Sequence, residues 1–530
     1  MEAKESIYIS AFILDPEIFL KRPVNEQIYI DMFKRKILTK DFGENMTRLI
    51  DILDYKAKNN VKIYILDYYE WGHGVVTSSK HLENVIKKLN NPNIRLIRFP
   101  NNAKTKIWTT HEKYIIVDKI IGYIGGIDLS WGKYDSPEHR LYEGPNENNV
   151  YEFPLMDYRN QQKIFFSDIE NYTKTEISRE NDHRFPWHDI QLKIIGPSVK
   201  DLVIHFFERW NHANNWEEKL YNETININNV KNLIDKINKK SIWKTFTNLI
   251  FDSDKVEKDY IRKRIEKAYE NNENFKVFII IPLFLSIGVD FEDKLSIIRI
   301  EPLIKYIYQS ISRNNGLSLI EQLEKKMGDK WKNYISFYSL RNHGLVNNVP
   351  ATERINVHSK LLIVDDTKVI IGSPNLNDRS LLGDRDSEIA ILIEEKMEDN
   401  FIMDGNKYQA SKTAVELRKK LMAEFLGIDL NDPILVDPVN NDLFNCMNSK
   451  ARINTEIYRT LFQCFPDNLY TSYKILNEAL NQNDEWPDVL FNKYMREKDK
   501  IQGFIVEFPF DFLKDEKMNN KFVFPDYTYT

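Results

Sequence analysis

Cysteine is nearly absent: Cys446 and Cys464 are the only two in 530 residues. Two cannot build a disulfide framework or a Cys-rich zinc site. A basic excess is also missing. Lys and Arg total 74 against 79 Asp and Glu, a net charge of −5. That excludes a chain that coats a polyanion by charge alone. Long apolar runs are missing too. The most apolar stretch, Val277 to Val289, holds Pro282 and is too short to cross a bilayer. The start, Met1-Glu2-Ala3-Lys4-Glu5, has mixed charge, and the apolar run after it ends at Asp15. A signal peptide is therefore not expected. What is present is globular: 42% hydrophobic and 29% charged residues. Wholesale disorder is excluded, and the length calls for two or more lobes. The expected setting is the cytoplasm, with any membrane contact peripheral.

The patterning is α/β. Val61–Leu66, Ile94–Ile97 and Ile335–Leu340 read as strands, and His81–Leu89 as a helix. Val277–Pro282 reads as a buried strand stopped by proline. After Pro197, the residues Val199, Leu202, Val203, Phe206 and Trp210 fall on one helix face, which predicts core packing. From about Asn214 to Asn274 the chain is rich in Asn, Lys, Glu and Asp, without Pro or Gly. Surface helices and loops joining two lobes are expected there. Its Arg262-Lys263-Arg264 cluster reads as a solvated helix face. After Gly427, Pro433, Pro438, Pro466 and Pro487 suggest a loop-rich strap laid over the lobes.

One pattern occurs twice. The first copy is His111-Glu112-Lys113-Tyr114-Ile115-Ile116-Val117-Asp118, then Gly125-Gly126-Ile127-Asp128. The second is His358-Ser359-Lys360-Leu361-Leu362-Ile363-Val364-Asp365, then Gly372-Ser373-Pro374-Asn375. One register relates every matching position, so internal duplication is the economical explanation. On a strand, residues two apart share a face. His111 and Lys113 then point one way, as do His358 and Lys360. Asp118 and Asp365 face away and are expected to be structural. Gly125, Gly126, Gly372 and Ser373 are small enough to let backbone approach closely. Ser373 and Asn375 share a face.

Two such units facing each other would surround one pocket with two imidazoles, two ammonium groups and an amide. No acidic cluster of the kind that holds Mg²⁺ is evident. The set suits phosphodiester chemistry without a metal or cofactor. One histidine attacks phosphorus; the other protonates the leaving alcohol and then activates the acceptor. Lys113, Lys360 and Asn375 would offset charge on the non-bridging oxygens. Each imidazole needs a carboxylate to fix its tautomer. Asp189, in Trp187-His188-Asp189, and Glu388, in Asp386-Ser387-Glu388, are the candidates. A lone His-x-Lys is usually a surface strand; the duplication is what raises this one above that reading. Of the other histidines, His183 and His188 stay open because they lie near Trp187 and Asp189.

These blocks resemble the phospholipase D superfamily, whose signature H-x-K-x(4)-D occurs twice per chain. Gly125-Gly126-Ile127-Asp128-Leu129 with Trp131-Gly132 is similar to the first catalytic block of eukaryotic-type, phosphatidylcholine-hydrolysing members. So are Arg184-Phe185-Pro186-Trp187-His188-Asp189, Gly196-Pro197 and Phe206-Phe207-Glu208-Arg209-Trp210-Asn211. The run Gly372-Ser373-Pro374-Asn375-Leu376-Asn377-Asp378-Arg379-Ser380-Leu381-Leu382-Gly383-Asp384-Arg385-Asp386-Ser387-Glu388 is closer still. Asp15-Pro16-Glu17 with Leu20-Lys21-Arg22-Pro23 resembles the entry to that core, and Gly503 with Val506-Glu507-Phe508-Pro509 resembles its tail.

The resemblance implies two similar α/β/α lobes related by a pseudo-twofold axis, with one active site between them and a carboxy-terminal strap. It divides the chain at 1–215, 216–274, 275–428 and 429–530. It implies hydrolysis of phosphatidylcholine-like lipids to phosphatidic acid, with water or a primary alcohol as acceptor. It also implies His111 as nucleophile and His358 as acid. Ca²⁺ dependence stays open. The chain starts almost at the catalytic core, so amino-terminal phox, pleckstrin or C2 domains are not expected. The family's Glu-Asn-Gln block between the lobes is missing near Trp243–Phe251. His212-Ala213-Asn214-Asn215 stands where phosphoinositide-responsive relatives are basic. Headgroup preference and phosphoinositide response therefore stay open.

Three alternatives compete. A nuclease of the same superfamily would need a basic or aromatic track, against the net charge of −5. A phosphatidyltransferase such as a cardiolipin synthase often spans membranes. An inactive lipid-binding scaffold would not need both His-x-Lys pairs. The expected partner is a phospholipid surface, not nucleic acid. Trp71, Trp108 and Trp131 with Tyr134 are candidates for membrane contact, although any one of them is as readily core.

Overall fold

A computed structural model describes residues 2–70, 78–100, 108–160, 169–173, 177–216, 257–283, 304–480 and 487–516. The Trp243–Phe251 stretch and Trp71 lie outside the described residues.

The first lobe is a six-stranded sheet between two helical layers. Its strands are β1 (Ser6–Ala11), β2 (Lys62–Tyr68), β3 (Ile94–Phe99), β4 (Tyr114–Val117), β5 (Ile121–Gly125) and β7 (Gln191–Ile195), with the short β6 (Trp187–His188) outside it. The order is β3-β2-β1-β4-β5-β7. The first three run parallel and the rest antiparallel. Alternation along β1 divides the core. Ile7 and Ile9 pack with Leu49, Leu53, Leu82 and Ile86 from the helices Leu49–Lys58 and Ser79–Leu89. Tyr8 packs on the other face with Val199, Leu202, Val203, Phe206 and Trp210 of the helix Val199–Trp216. The apolar stripe expected after Pro197 is thus entirely core.

The second lobe repeats the mixed α/β layering. Strands β8 (Val277–Ile280) and β9 (Ile335–Val346) run parallel, and β10 (Val349–Val357) returns antiparallel. A separate antiparallel sheet joins β11 (Leu361–Val364), β12 (Lys368–Gly372) and β13 (Ala390–Ile393). Strand β8 is half-buried, not fully buried as its composition suggests. Its side chains are only partly covered by the clusters on either side.

Two features differ from expectation. The tail is mainly helical: Asn441–Phe462, Tyr473–Leu480 and Pro487–Glu497. Pro487 opens its helix and Pro433 opens a 3-10 turn, where no backbone N–H is needed. Pro487 and Pro433 punctuate helical turns, whereas Pro438 and Pro466 lie in loops as expected. The tail also completes the second lobe, because β14 (Ile505–Glu507) pairs antiparallel with β9. The lobes themselves are laced together. First-lobe β6 pairs in parallel with β10, Trp187 opposite Asn356 and His188 opposite Val357. Among the described residues, no helix is long and apolar enough to cross a membrane.

The tail contact carries a pH prediction. His343 Nδ1 lies 2.9 Å from the Tyr494 hydroxyl, and its ring packs on Tyr458 and Tyr494. Burial, aided by the nearby Lys498 ammonium and opposed by Asp499, pushes its pKa down to about 4. The unfolded chain takes up that proton near the ordinary imidazole value, so it binds more protons than the folded chain between these limits. Stability should fall as pH drops through that window, by about 2 kcal/mol between pH 7 and pH 5. Melting wild type and His343→Gln at pH 7 and pH 5 checks it. The variant should lose less on acidification.

Candidate active site

Both His-x-Lys segments lie just ahead of a hairpin strand. Each hairpin turns through two residues with positive φ: Asp118 and Lys119 at 51° and 59°, Asp365 and Asp366 at 49° and 53°. Aspartate tolerates that conformation, which accounts for it at the end of each motif. Asp118 is structural. Its carboxylate accepts the backbone N–H groups of Lys4, Glu5 and Ser6 at 2.7–2.9 Å. In the second copy Asp365 sits in the turn, and its neighbour Asp366 makes the buried bond, a two-pronged pair with Arg418.

The two histidines are held crosswise. His111 Nδ1 lies 2.8 Å from Glu388 Oε1, and His358 Nδ1 lies 2.7 Å from Asp189 Oδ2. Each carboxylate comes from the opposite lobe. Backbone repeats the exchange: His111 N–H donates to the Ser387 carbonyl at 2.9 Å, and His358 N–H to the His188 carbonyl at 2.8 Å. With Nδ1–H given to a carboxylate, Nε2 is the nitrogen left for chemistry on both rings.

The lysines are placed alike. Lys113 Nζ donates to the His111 carbonyl at 2.9 Å, and Lys360 Nζ to the His358 carbonyl at 2.6 Å. Lys113 is buried and sits 3.4 Å from Asp128. Burial lowers the Lys360 pKa to about 8, and the Lys113 ammonium pushes the same way. Burial and the Lys360 ammonium bring His358 down to about 4. Asp189 resists burial because His358 and Lys360 hold its carboxyl below the usual range.

The small residues are there for space. A Cβ on Gly126 would come 2.2 Å from Asp189 Oδ1, one on Gly125 2.2 Å from the Ile190 carbonyl, and one on Gly372 2.4 Å from the Ile389 carbonyl. Ser373 is buried, its hydroxyl exchanging bonds with Ile389 backbone at 3.0 and 3.2 Å. Asn375 follows in a half-buried turn. Gly126→Ala should push Asp189 off His358. A misplacement of this size is worth about 100-fold in rate. Turnover and the His358 side-chain NMR shifts would check it together.

Several side chains at the site were given no role by the sequence. Ser380 donates to Glu388 at 2.7 Å. The Trp187 ring lies 4.9 Å from His358, and the buried Lys133 Nζ lies 3.5 Å from the centroid of the Trp187 ring. Phe12 sets its ring 5.0 Å from His111 and lies under Lys113. Glu112 is fully buried and accepts from Ser387, His205 and Ser10. Its counterpart Ser359 bonds His188 at 2.8 Å. The middle residue of each motif therefore latches onto the residue preceding the opposite carboxylate. The duplicated register could have exposed that latch; the contacts themselves needed the fold. His183 takes no part, pairing with Glu353 at 3.2 Å.

Comparison with known proteins identifies the family. The phospholipase D family model matches residues 1–253 and 347–467. Phospholipase D2 of Bos taurus is 29% identical over 97% of this chain and 60% of its own length. Phospholipase D1 of Cricetulus griseus is 28% identical over 98% of this chain and 63% of its own. Phospholipase D1 of Saccharomyces cerevisiae is 32% identical over 81% of this chain and 28% of its own. The chain thus spans less than two thirds of the length of these relatives. With both motifs inside the matched segments, the chain belongs to the phospholipase D family.

Proposed function

We propose that this chain is a phospholipase D that transfers the phosphatidyl group of phosphatidylcholine-like lipids to water or a primary alcohol. The observation that carries it is the crossed pairing of His111 with Glu388 and His358 with Asp189. Two imidazoles with Nε2 free and two ammonium groups beside them match what in-line phosphodiester transfer needs. His111 Nε2 attacks phosphorus, and the bond to the headgroup oxygen breaks. His358, protonated at Nε2, gives that oxygen its proton. The phosphatidyl group is then covalently held on His111. His358 next takes a proton from water or alcohol, the oxygen attacks phosphorus, and the P–N bond breaks. Lys113, Lys360 and Asn375 offset the charge on the non-bridging oxygens. Burial and the Lys360 ammonium lower the proton affinity of His358, and docking the phosphodiester anion should raise it.

No metal or cofactor takes part in these steps. The work is peripheral to a lipid surface on the cytoplasmic side. Leu376 and Leu382 are exposed on the segment that follows Asn375, and the Arg385 guanidinium lies over Trp108. These groups suit an interface of apolar chains and phosphates. Trp131 is fully buried core, and half-buried Tyr134 carries Arg22 on its ring, so neither serves there. Purified protein should release choline from phosphatidylcholine vesicles and leave single-stranded DNA intact. Cleavage of DNA without choline release would move the assignment to a nuclease. No turnover of either would leave a lipid-binding scaffold.

A further inference from the structure

Behind the reacting pair, His139 and His188 of the first lobe converge on Glu424 of the second-lobe helix Lys412–Leu426. His139 Nε2 lies 3.3 Å from Glu424 Oε1, and His188 Nε2 lies 3.2 Å from the same oxygen. Their side chains are 3%, 7% and 14% exposed. Both rings are pinned by their other nitrogen. His139 Nδ1 lies 3.1 Å from Asp135 Oδ2, and His188 Nδ1 lies 2.8 Å from the Ser359 hydroxyl. Asp135 is itself fixed by Arg184 and by the Trp187 N–H. Phe504 packs on the His139 ring and Phe425 on the His188 ring.

The tautomers raise a question of charge. A carboxylate only accepts, so Asp135 requires a proton on His139 Nδ1. The Nε2 atom then faces Glu424, and that contact is attractive either with a second proton on the ring or with a metal ion between the two. Two imidazole Nε2 atoms and one carboxylate oxygen, each imidazole held from behind by an oxygen, is the donor set of a zinc site. Tetrahedral Zn²⁺ with ordinary bond lengths separates its ligand atoms by about 3.3 Å. The two contacts to Glu424 match that spacing, and all three ligand atoms lie within 4.8 Å of one another.

We propose that His139, His188 and Glu424 bind one Zn²⁺, with the fourth position left to water. The ion ties the second-lobe helix to the segment that carries Asp189. It is a structural clamp, outside the phosphoryl-transfer steps.

Metal-stripped full-length protein should bind one equivalent of Zn²⁺ and gain several degrees in melting temperature. Co²⁺ in its place should give the strong visible absorption of a tetrahedral site. Glu424→Gln and His139→Gln should each lose that absorption and the thermal gain. Melting both variants without metal shows whether they are folded. Absence of saturable Zn²⁺ binding and of the Co²⁺ band in wild type would overturn the proposal and leave a proton on the imidazole as the only cation. Retention of the band in both variants would also overturn it. Choline release is measured apart, so either result leaves the lipase reading to stand or fall by itself.

Discussion

His111→Ala and His358→Ala are each expected to lower phosphatidylcholine turnover by about 10⁴-fold or more. The two rings occupy equivalent places, each with Nδ1 on the opposite lobe's carboxylate and Nε2 free. Removing either ring takes away the nucleophile or the proton carrier. Alanine also strips a partner from a carboxylate that is 6% exposed at Glu388 and 4% at Asp189. That loss costs about 1–3 kcal/mol, which an activity assay alone would confuse with a catalytic effect. Asparagine separates the two. Its amide can donate to the carboxylate from roughly the Nδ1 position, and it has nothing in place of Nε2. His111→Asn and His358→Asn should therefore melt closer to wild type and stay as inactive as the alanine forms. Recovery of turnover in either asparagine form would remove that histidine from the chemistry.

The second large effect separates the two roles. A lipid with p-nitrophenol as headgroup needs no acid, because the phenolate leaves unaided. His358→Ala should release one equivalent of p-nitrophenolate in a fast burst and then stall, since no base remains to activate water. The stalled protein should carry the lipid phosphate on His111. His111→Ala should give no burst. The reverse pattern, a burst from His111→Ala and none from His358→Ala, would exchange the nucleophile and the acid. The lowered pKa of His358 sharpens this test, because it favours the unprotonated imidazole, which is itself a competent nucleophile.

Much of the site was legible in one dimension because the chemistry sits in short, repeated blocks. His111, Lys113, His358 and Lys360 announce themselves by a shared register. Asp118 was separable by alternation, and the three backbone N–H groups on its carboxylate fit that reading. Asp189 and Glu388 were candidates as a pair, but their crossing between lobes depends on β6 pairing with β10 and on the parallel bridge between Thr110 and Ser387. No local pattern encodes either pairing. Lys133 and Phe12 were invisible for the same reason, and Ser380 stood in a matching block without a role. Each looks like an ordinary residue until the fold stacks it on Trp187, His111 or Glu388. The tail was misread because proline was taken as a breaker. Proline at the first position of a helix costs nothing, and the long Asn441–Phe462 helix holds none. Its strand β14 was hidden because three residues carry no periodicity.

The most direct test is a vesicle assay with phosphatidylcholine, purified protein and 1-butanol, run beside His111→Asn and His358→Asn. Transfer through a covalent phosphatidyl-histidine predicts phosphatidylbutanol from wild type and none from either variant. Choline release by wild type without phosphatidylbutanol, at alcohol concentrations that compete with water, would contradict a covalent intermediate open to external acceptors. Phosphatidylbutanol from either variant would contradict the assignment of that histidine.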